Sequence, residues 1–153
     1  MQKDNRLYQL AENVLKNSVK LKKGEKIYIE AFGPAVLDLM EIFIRKATEL
    51  GGVPFYFYND EHLLKAVIDN ASEEQMKAFG ETYRQQMASS DVYVALRGYD
   101  DIFALSDVNE RQMALYMQHY YNPVHRSTRV PRTRWCVCLL YTSPSPRDKR
   151  QSR

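Results

Sequence analysis

Apolar residues in the first half of the chain switch between two spacings, one typical of helices and one typical of strands. Residues 5–18 place apolar side chains three and four positions apart, which predicts an amphipathic helix. Residues 26–30 and 53–58 alternate in the β-branched and aromatic manner of strands. Between these strands we expect a helix that begins at Pro34 and ends at the glycine pair 51–52. The first half therefore predicts helix, strand, helix, strand.

Several polar residues after the second predicted strand have the spacing of caps at the starts of further helices. Asp60 can cap a short helix. Ser72 and Gln75 have the spacing of a capping box, in which the two side chains each satisfy a free backbone amide of the first turn. Asp107 has a similar position before a helix that we expect to end at Pro123.

Two more strands are predicted, over residues 91–96 and 133–137. Strands that alternate with helices indicate a mostly parallel sheet covered by helices on both faces. The predicted fold class is therefore α/β, of the doubly wound kind. We expect the sheet to be incomplete at its carboxyl-terminal end, because the fourth strand is cut short.

Composition and charge separate the end of the chain from the rest. The 153 residues carry 22 Lys and Arg against 19 Asp and Glu, and 44% of them are hydrophobic, enough to bury a core. Residues 138–153 hold four bases and one acid, so residues 1–137 are electrically balanced. The basic balance of the whole chain therefore gives no support to nucleic-acid binding, and we predict no nucleic-acid partner.

The last residues differ from the rest in a second way. Residues 142–153 contain no aliphatic or aromatic side chain, so we expect them to stay out of the core. The change falls inside a strand, whereas domains normally end in linkers. Residues 138–148 resemble sequencing-adapter DNA translated in frame. We therefore predict an α/β domain over 1–137 and a non-native or disordered tail over 138–153.

The lack of a long apolar run and the low number of cysteines indicate the cellular setting of the protein. No apolar run approaches the roughly 20 residues that span a bilayer, and the first residues lead into an amphipathic segment rather than a signal peptide. Cys136 and Cys138 are too few and too close for a disulfide framework. We therefore expect no membrane association and a reducing, cytoplasmic setting.

Histidines and cysteines are the first candidates for a chemical site. His119 and His125 lie on opposite sides of the predicted helix end and show no metal-binding spacing, so we interpret them, with His62, as surface or partly buried side chains. Cys136 and Cys138 share one strand face but lack a second ligand cluster. We interpret both as buried small apolar side chains.

Two loops at the carboxyl ends of predicted strands could contact a ligand. Gly33 and Pro34 lie where α/β folds bind phosphate, but the glycine-rich fingerprint is missing and Pro34 has no amide to donate. Residues 97–101 contain an arginine and two carboxylates that could orient a ligand. We interpret the first loop as a tight structural turn and the second as solvated charge. No catalytic, cofactor-binding or metal-ligating residue is assigned.

Several short motifs between residues 6 and 137 are similar to landmarks of one enzyme family. They are Leu10-Ala-Glu-Asn-Val-Leu15, Ser18-Val-Lys-Leu-Lys-Lys-Gly-Glu-Lys26, Leu105-Ser-Asp-Val108 and Thr133-Arg-Trp135. In their order and spacing they resemble the amino-terminal domain of the metallo-aminopeptidases called aminopeptidase T, aminopeptidase S or thermophilic aminopeptidase.

This resemblance implies an enzyme that removes amino-terminal residues from peptides with two divalent metal ions: zinc, cobalt or magnesium. The metals polarise the scissile carbonyl and supply a hydroxide nucleophile. The resemblance also implies a peptide substrate and a homodimer for the full-length protein. The family's metal ligands belong to the second half of a chain more than twice this long, so we expect this chain to be an inactive amino-terminal fragment that binds no metal. The alternatives are a free-standing α/β module that binds a nucleotide or phosphate, and a structural or dimerisation domain.

Overall fold

The described residues form one parallel sheet of four strands, with one α-helix before the first strand and four more between the strands. The computed structural model describes residues 5–98 and 104–140. The strands are β1 (Lys26–Phe32), β2 (Val53–Asn59), β3 (Val92–Gly98) and β4 (Arg134–Leu140), and the helices are α1 (Asn5–Asn13), α2 (Leu37–Glu49), α3 (Glu61–Asn70), α4 (Glu73–Ala88) and α5 (Glu110–Tyr116). A short 3-10 turn, Pro34–Val36, precedes α2, and a π-helical turn, Val14–Ser18, follows α1.

The strand order is β2-β1-β3-β4, and all three pairings are parallel. The chain moves from β1 outward to β2, then returns past β1 to β3 and continues outward to β4. The direction of the strand order therefore reverses between β1 and β3, which makes this pair the topological switch point of the sheet. The predicted α/β class with a mostly parallel sheet is confirmed.

One face of the sheet, here called the aliphatic face, packs against α1 and α2. It is almost entirely apolar, and Phe43 at its centre is fully buried. Alternation along each strand places every second residue on this face. Its buried strand residues are Ile27, Ile29, Ala31, Val92, Val94 and Leu96.

The opposite face, here called the aromatic face, packs against α3, α4, α5 and the helical segment that follows α5. Stacked and tilted rings run through it, with the Tyr28 and Phe57 centroids 4.1 Å apart and those of Tyr116 and Tyr120 5.2 Å apart. Gly80 of α4 lies against the following helical segment so closely that a Cβ atom there would meet the His119 carbonyl oxygen at 1.7 Å.

The predicted caps of α3 and α4 are present. The Asp60 carboxylate accepts a hydrogen bond from the Leu63 amide at 2.8 Å. The Ser72 hydroxyl accepts from the Gln75 amide at 3.1 Å, while the Gln75 side chain accepts from the Ser72 amide at 2.9 Å. This reciprocal pair is the capping box that the sequence predicts.

The predicted cap of α5 is wrong by two residues. Asn109, not Asp107, begins this helix, because its side-chain oxygen accepts from the Gln112 amide at 2.9 Å. Asp107 instead lies 3.6 Å from the Lys65 ammonium. Asn and Asp cap helices equally well, so the spacing alone did not distinguish the two positions.

The helix predicted to end at Pro123 continues through it. Met117–Arg129, here called the π segment, is wound in π-helical form, and one more helical turn, Val130–Arg132, leads to β4. Proline breaks an α-helix because it lacks an N–H group and crowds the carbonyl four residues earlier. The wider π winding has a different hydrogen-bond pattern. Beyond the proline, the Thr128 hydroxyl donates to the Pro123 carbonyl at 2.8 Å.

The fourth strand also runs further than predicted. It extends to Leu140, and Cys138 pairs with Leu96 of β3. Three residues of the predicted tail therefore belong to the sheet, and the remainder of the tail lies outside the described residues. Of the helices that the structure describes, none is both long and apolar enough to cross a membrane.

Candidate functional site

A cavity of about 210 Å³ opens at the carboxyl ends of β1, β2 and β3, on the aromatic face and at the switch point. Ligands of open α/β sheets bind in this position, because the loops and helices that follow neighbouring strands diverge there. Its described lining residues are Glu30, Phe32, Asn59, Asp60, Glu61, Leu64, Arg97, Leu105, Tyr116, Tyr120, Tyr121 and His125.

Glu30 is a carboxyl group in the middle of the sheet. It is only 2% exposed, and its Oε1 accepts a hydrogen bond from the Tyr93 hydroxyl at 2.7 Å. Burial raises its pKa, while the hydrogen bonds from Tyr93 and Asn59 and the positive charges of Arg97 and Arg129 act in the opposite direction. The strand thus places an acid of raised pKa at the base of the cavity.

Arg97 is the cation of the cavity. Its guanidinium carbon lies 4.9 Å from the centroid of the Phe32 ring, which holds the planar group by a cation–π contact. Its Nε atom is buried and has no hydrogen-bond partner among the described residues. Glu61 lines the same cavity, and its Oε2 is also buried without a partner in the described part of the chain. Each group retains unused hydrogen-bonding capacity.

His125 is buried at the side of the cavity, 6% exposed. Burial first, and then the charges of Arg129 and Arg97, lower the pKa of His125 to about 3, so the ring is neutral at pH 7. The Arg129 Nε donates to His125 Nδ1 at 2.8 Å, which leaves the ring proton on Nε2. Arg129 is itself held between the Tyr93 and Trp135 rings, 5.2 Å and 4.8 Å from their centroids.

The other two histidines are separate from this cavity. His119 contacts the Glu73 carboxylate at 3.0 Å, between the π segment and the first turn of α4. His62 is exposed on α3. Within residues 5–98 and 104–140, no group of three or more His, Cys, Asp or Glu side chains could hold a metal ion. The donor set of the described residues therefore does not fit a metal site.

The two cysteines lie side by side on β4, half-buried against the aliphatic face, and neither forms a disulfide. Burial and the neighbouring Cys136 raise the pKa of Cys138 to about 12. A thiol with such a pKa is protonated at neutral pH, so Cys138 is neither a reactive nucleophile nor a ready metal ligand. It packs as a small apolar side chain.

The two predicted loops have different outcomes. Gly33 adopts a φ of 94°, which favours glycine, and its N–H donates to the Asn59 carbonyl at 2.9 Å. Since Pro34 has no N–H, neither residue of this turn offers an amide to a phosphate. Of the loop 97–101, Arg97 lines the cavity instead of lying among solvated charges, and residues 99–101 lie outside the described residues.

Sequence reasoning missed the most buried ionisable side chains in and beside the cavity. Glu30 carried a signal: it is an acid inside a strand whose neighbours on both sides are apolar, at a position that the alternation assigns to a covered face. His125 and Arg129 carried none, because the predicted helix end at Pro123 hid the fact that the π segment brings both against the sheet.

Comparison with known proteins places this arrangement in a family. The family model described as thermophilic metalloprotease (M29) matches residues 3–147. The chain belongs to the M29 family. The fold is also similar to that of a solved structure, wild-type AmpT from Thermus thermophilus, with a TM-score of 0.63 and 20% identity. That likeness covers 88% of this chain and 35% of the AmpT chain, so the present chain spans about a third of that protein. No protein among the curated sequences matches it.

Proposed function

We propose that this chain is the amino-terminal α/β domain of a metal-dependent aminopeptidase, an enzyme that hydrolyses amino-terminal residues from peptides. The observation that carries the proposal is the match to the M29 metalloprotease family over residues 3–147. The α/β fold, similar to about a third of AmpT, supports it because it corresponds to one part of a longer chain.

In this proposal the two divalent metals, zinc, cobalt or magnesium, are held by residues outside this sequence. The described residues bring together no ligand group for a metal, and the groups at the cavity are paired or buried in other ways. This domain therefore supplies scaffold and does not hydrolyse peptides alone. The peptide substrate and the homodimer belong to the full-length protein, and the free thiols of β4 support a cytoplasmic setting.

The experiment is an arylamide assay on the purified chain. L-leucine p-nitroanilide is incubated with the chain and added Zn²⁺, Co²⁺ or Mg²⁺, and a mock purification from the same host controls for contaminating peptidases. We expect no turnover above the mock sample. Hydrolysis that exceeds the mock sample and disappears on addition of a chelator would show that a catalytic site lies within these 153 residues, against the proposal.

A second candidate function, a small-molecule binding module, is favoured by the cavity at the switch point. The structure makes phosphate at Gly33 an unfavourable form of it, since that turn has no amide to offer. A thermal-shift screen with nucleotides and inorganic phosphate tests for binding of a phosphate group. We expect neither the nucleotides nor inorganic phosphate to change the Tm. A nucleotide-induced rise in Tm would restore the phosphate-binding interpretation.

A further inference from the structure

We propose that the cavity at the carboxyl ends of β1 and β3 binds a free α-amino acid with an apolar side chain. Arg97 would bind the ligand carboxylate, Glu61 its ammonium group, and the surrounding rings its side chain. This inference rests on the cavity and not on the proposed peptidase activity.

The first argument is the state of Arg97. Its buried Nε has no hydrogen-bond partner in the described residues, and leaving a buried donor unpaired is costly. The cation–π contact with Phe32 fixes the plane of the guanidinium while leaving its edge to donate. A planar guanidinium with a free edge binds a carboxylate through two parallel hydrogen bonds. A ligand carboxylate would thus satisfy a buried donor that has no partner in the described part of the chain.

The second argument is the state of the cavity's carboxylates. Glu30 accepts from Tyr93, and Asp60 is committed to the cap of α3 through the Leu63 amide. Glu61 differs, because its Oε2 is buried and unpartnered among the described residues. An ammonium group is the natural partner for such an oxygen, since it supplies both charge and donors. Among the described residues of the cavity, one cation and one anion thus each have a buried atom without a hydrogen-bond partner.

The third argument is the size and character of the remaining wall. The cavity measures about 210 Å³, which is small for a site that takes a drug-sized molecule. Apart from the charged groups, its wall is formed by aromatic and aliphatic side chains such as Leu64, Leu105 and Tyr121. A free amino acid with an apolar side chain carries one negative charge, one positive charge and an apolar group, which match these three kinds of lining residue.

The test is calorimetric titration of the full chain with L-leucine, together with two blocked analogues. N-acetyl-L-leucine lacks the ammonium group and L-leucinamide lacks the carboxylate. We expect binding of L-leucine and binding at least about tenfold weaker for each analogue, because each loses one charge-assisted contact. Equal binding of L-leucinamide would remove the role of Arg97, and no binding of L-leucine at millimolar concentration would overturn the proposal.

Variants locate the site. Arg97→Gln and Glu61→Gln should each weaken L-leucine binding by about tenfold or more. The matched controls are Arg45→Gln and Glu49→Gln, exposed charges of α2 on the aliphatic side of the sheet, which should bind as the parent does. Unchanged binding by both cavity variants would contradict the assignment. If a cavity variant does not fold, the analogue series on the parent chain still decides the question. Binding is read without turnover, so this result and the peptidase assay fail independently.

Discussion

The two faces of the sheet are built from the same strands and yet differ in what they bury. On the aliphatic face, the buried side chains between the sheet and helices α1 and α2 are apolar. On the aromatic face, the buried set includes a carboxyl group, an imidazole and a guanidinium: Glu30, His125 and Arg129. Successive residues of one strand point to opposite faces, so the adjacent residues Ile29 and Glu30 belong to different faces of the sheet.

This difference separates scaffold from candidate site. Burial of apolar surface stabilises a fold without hydrogen bonds, whereas each buried polar group needs hydrogen bonds to offset its desolvation. The aromatic face meets most of that need internally, through the Tyr93–Glu30 and Arg129–His125 hydrogen bonds, while Nε of Arg97 and Oε2 of Glu61 have no hydrogen-bond partner among the described residues. We therefore expect mutations on the two faces to differ in their pH dependence as well as in their size.

The largest effect should come from the aliphatic face. Phe43→Ala removes a fully buried ring from α2 and should lower the free energy of unfolding by about 3–5 kcal/mol. Because no Asp, Glu or His of the described residues is buried in this layer, the loss should be the same at pH 7 and pH 5. Urea unfolding at both pH values measures it. Leu37→Ala, at a position 45% exposed near the start of α2, is the control and should cost less than about 1 kcal/mol. A loss for Phe43→Ala that changes with pH would contradict the distinction between the faces.

The next effect concerns the packing of the aromatic face. Gly80→Ala places a Cβ atom within 1.7 Å of the His119 carbonyl oxygen, so α4 and the π segment must separate. We expect a loss of about 3 kcal/mol, although the same substitution at an exposed helical site is stabilising. Thr82→Ala, exposed on the same helix, should leave stability nearly unchanged. Thermal unfolding of both variants tests this, and a Gly80→Ala protein as stable as the parent would show that the two helices do not meet as closely as described.

The smallest effect is a pH dependence confined to the aromatic face. The pKa of His125 is lowered to about 3 in the folded chain from 6.5, so the unfolded chain binds the extra proton first. Its contribution to stability is complete above pH 6.5 and is lost as the pH falls towards 3. Between pH 7 and pH 5 the loss should be about 2 kcal/mol.

A variant separates the contribution of His125 to stability from that of Glu30. Because the pKa of Glu30 is raised, its contribution to stability increases as the pH falls, opposite to that of His125. His125→Gln should be less sensitive to acid than the parent by about the same 2 kcal/mol, whereas His62→Gln, at an exposed position, should keep the parent's pH dependence. Urea unfolding at pH 7 and pH 5 provides the comparison. Parallel pH profiles for His125→Gln and the parent would mean that the imidazole is not buried as described.

The elements that could be predicted are those whose signals are local. Helix α4 follows from its capping box and β3 from its continuous run of apolar residues, because both depend on neighbours within a few positions. The predictions that were wrong concern elements whose structure depends on contacts with residues distant in the sequence. The π segment passes Pro123 while packing against α4, and Asn109 rather than Asp107 caps α5 in a chain where Asp107 faces Lys65. Rules based on neighbouring residues cannot identify partners that are distant in the sequence.

The cavity was harder to predict than the fold, for the same reason. Glu30 was visible as an acid among apolar strand residues, but its partners Tyr93 and Arg129 lie far along the chain. Arg97 was recognised as a loop charge, and only the fold shows that it lies over Phe32 and lines one cavity with Glu61. A site assembled from four segments has no compact motif to find.

We propose that this chain is one domain of a longer aminopeptidase, and we predict from its composition that residues 138–153 do not belong to the natural protein. Sequencing the source gene from codon 130 to well beyond codon 153 tests both parts at once. We predict that the natural codons depart from the present sequence after residue 137 and that the frame continues into a region with acids and histidines able to bind metal. Codons for residues 138–153 confirmed as written, followed directly by a stop, would contradict the claim.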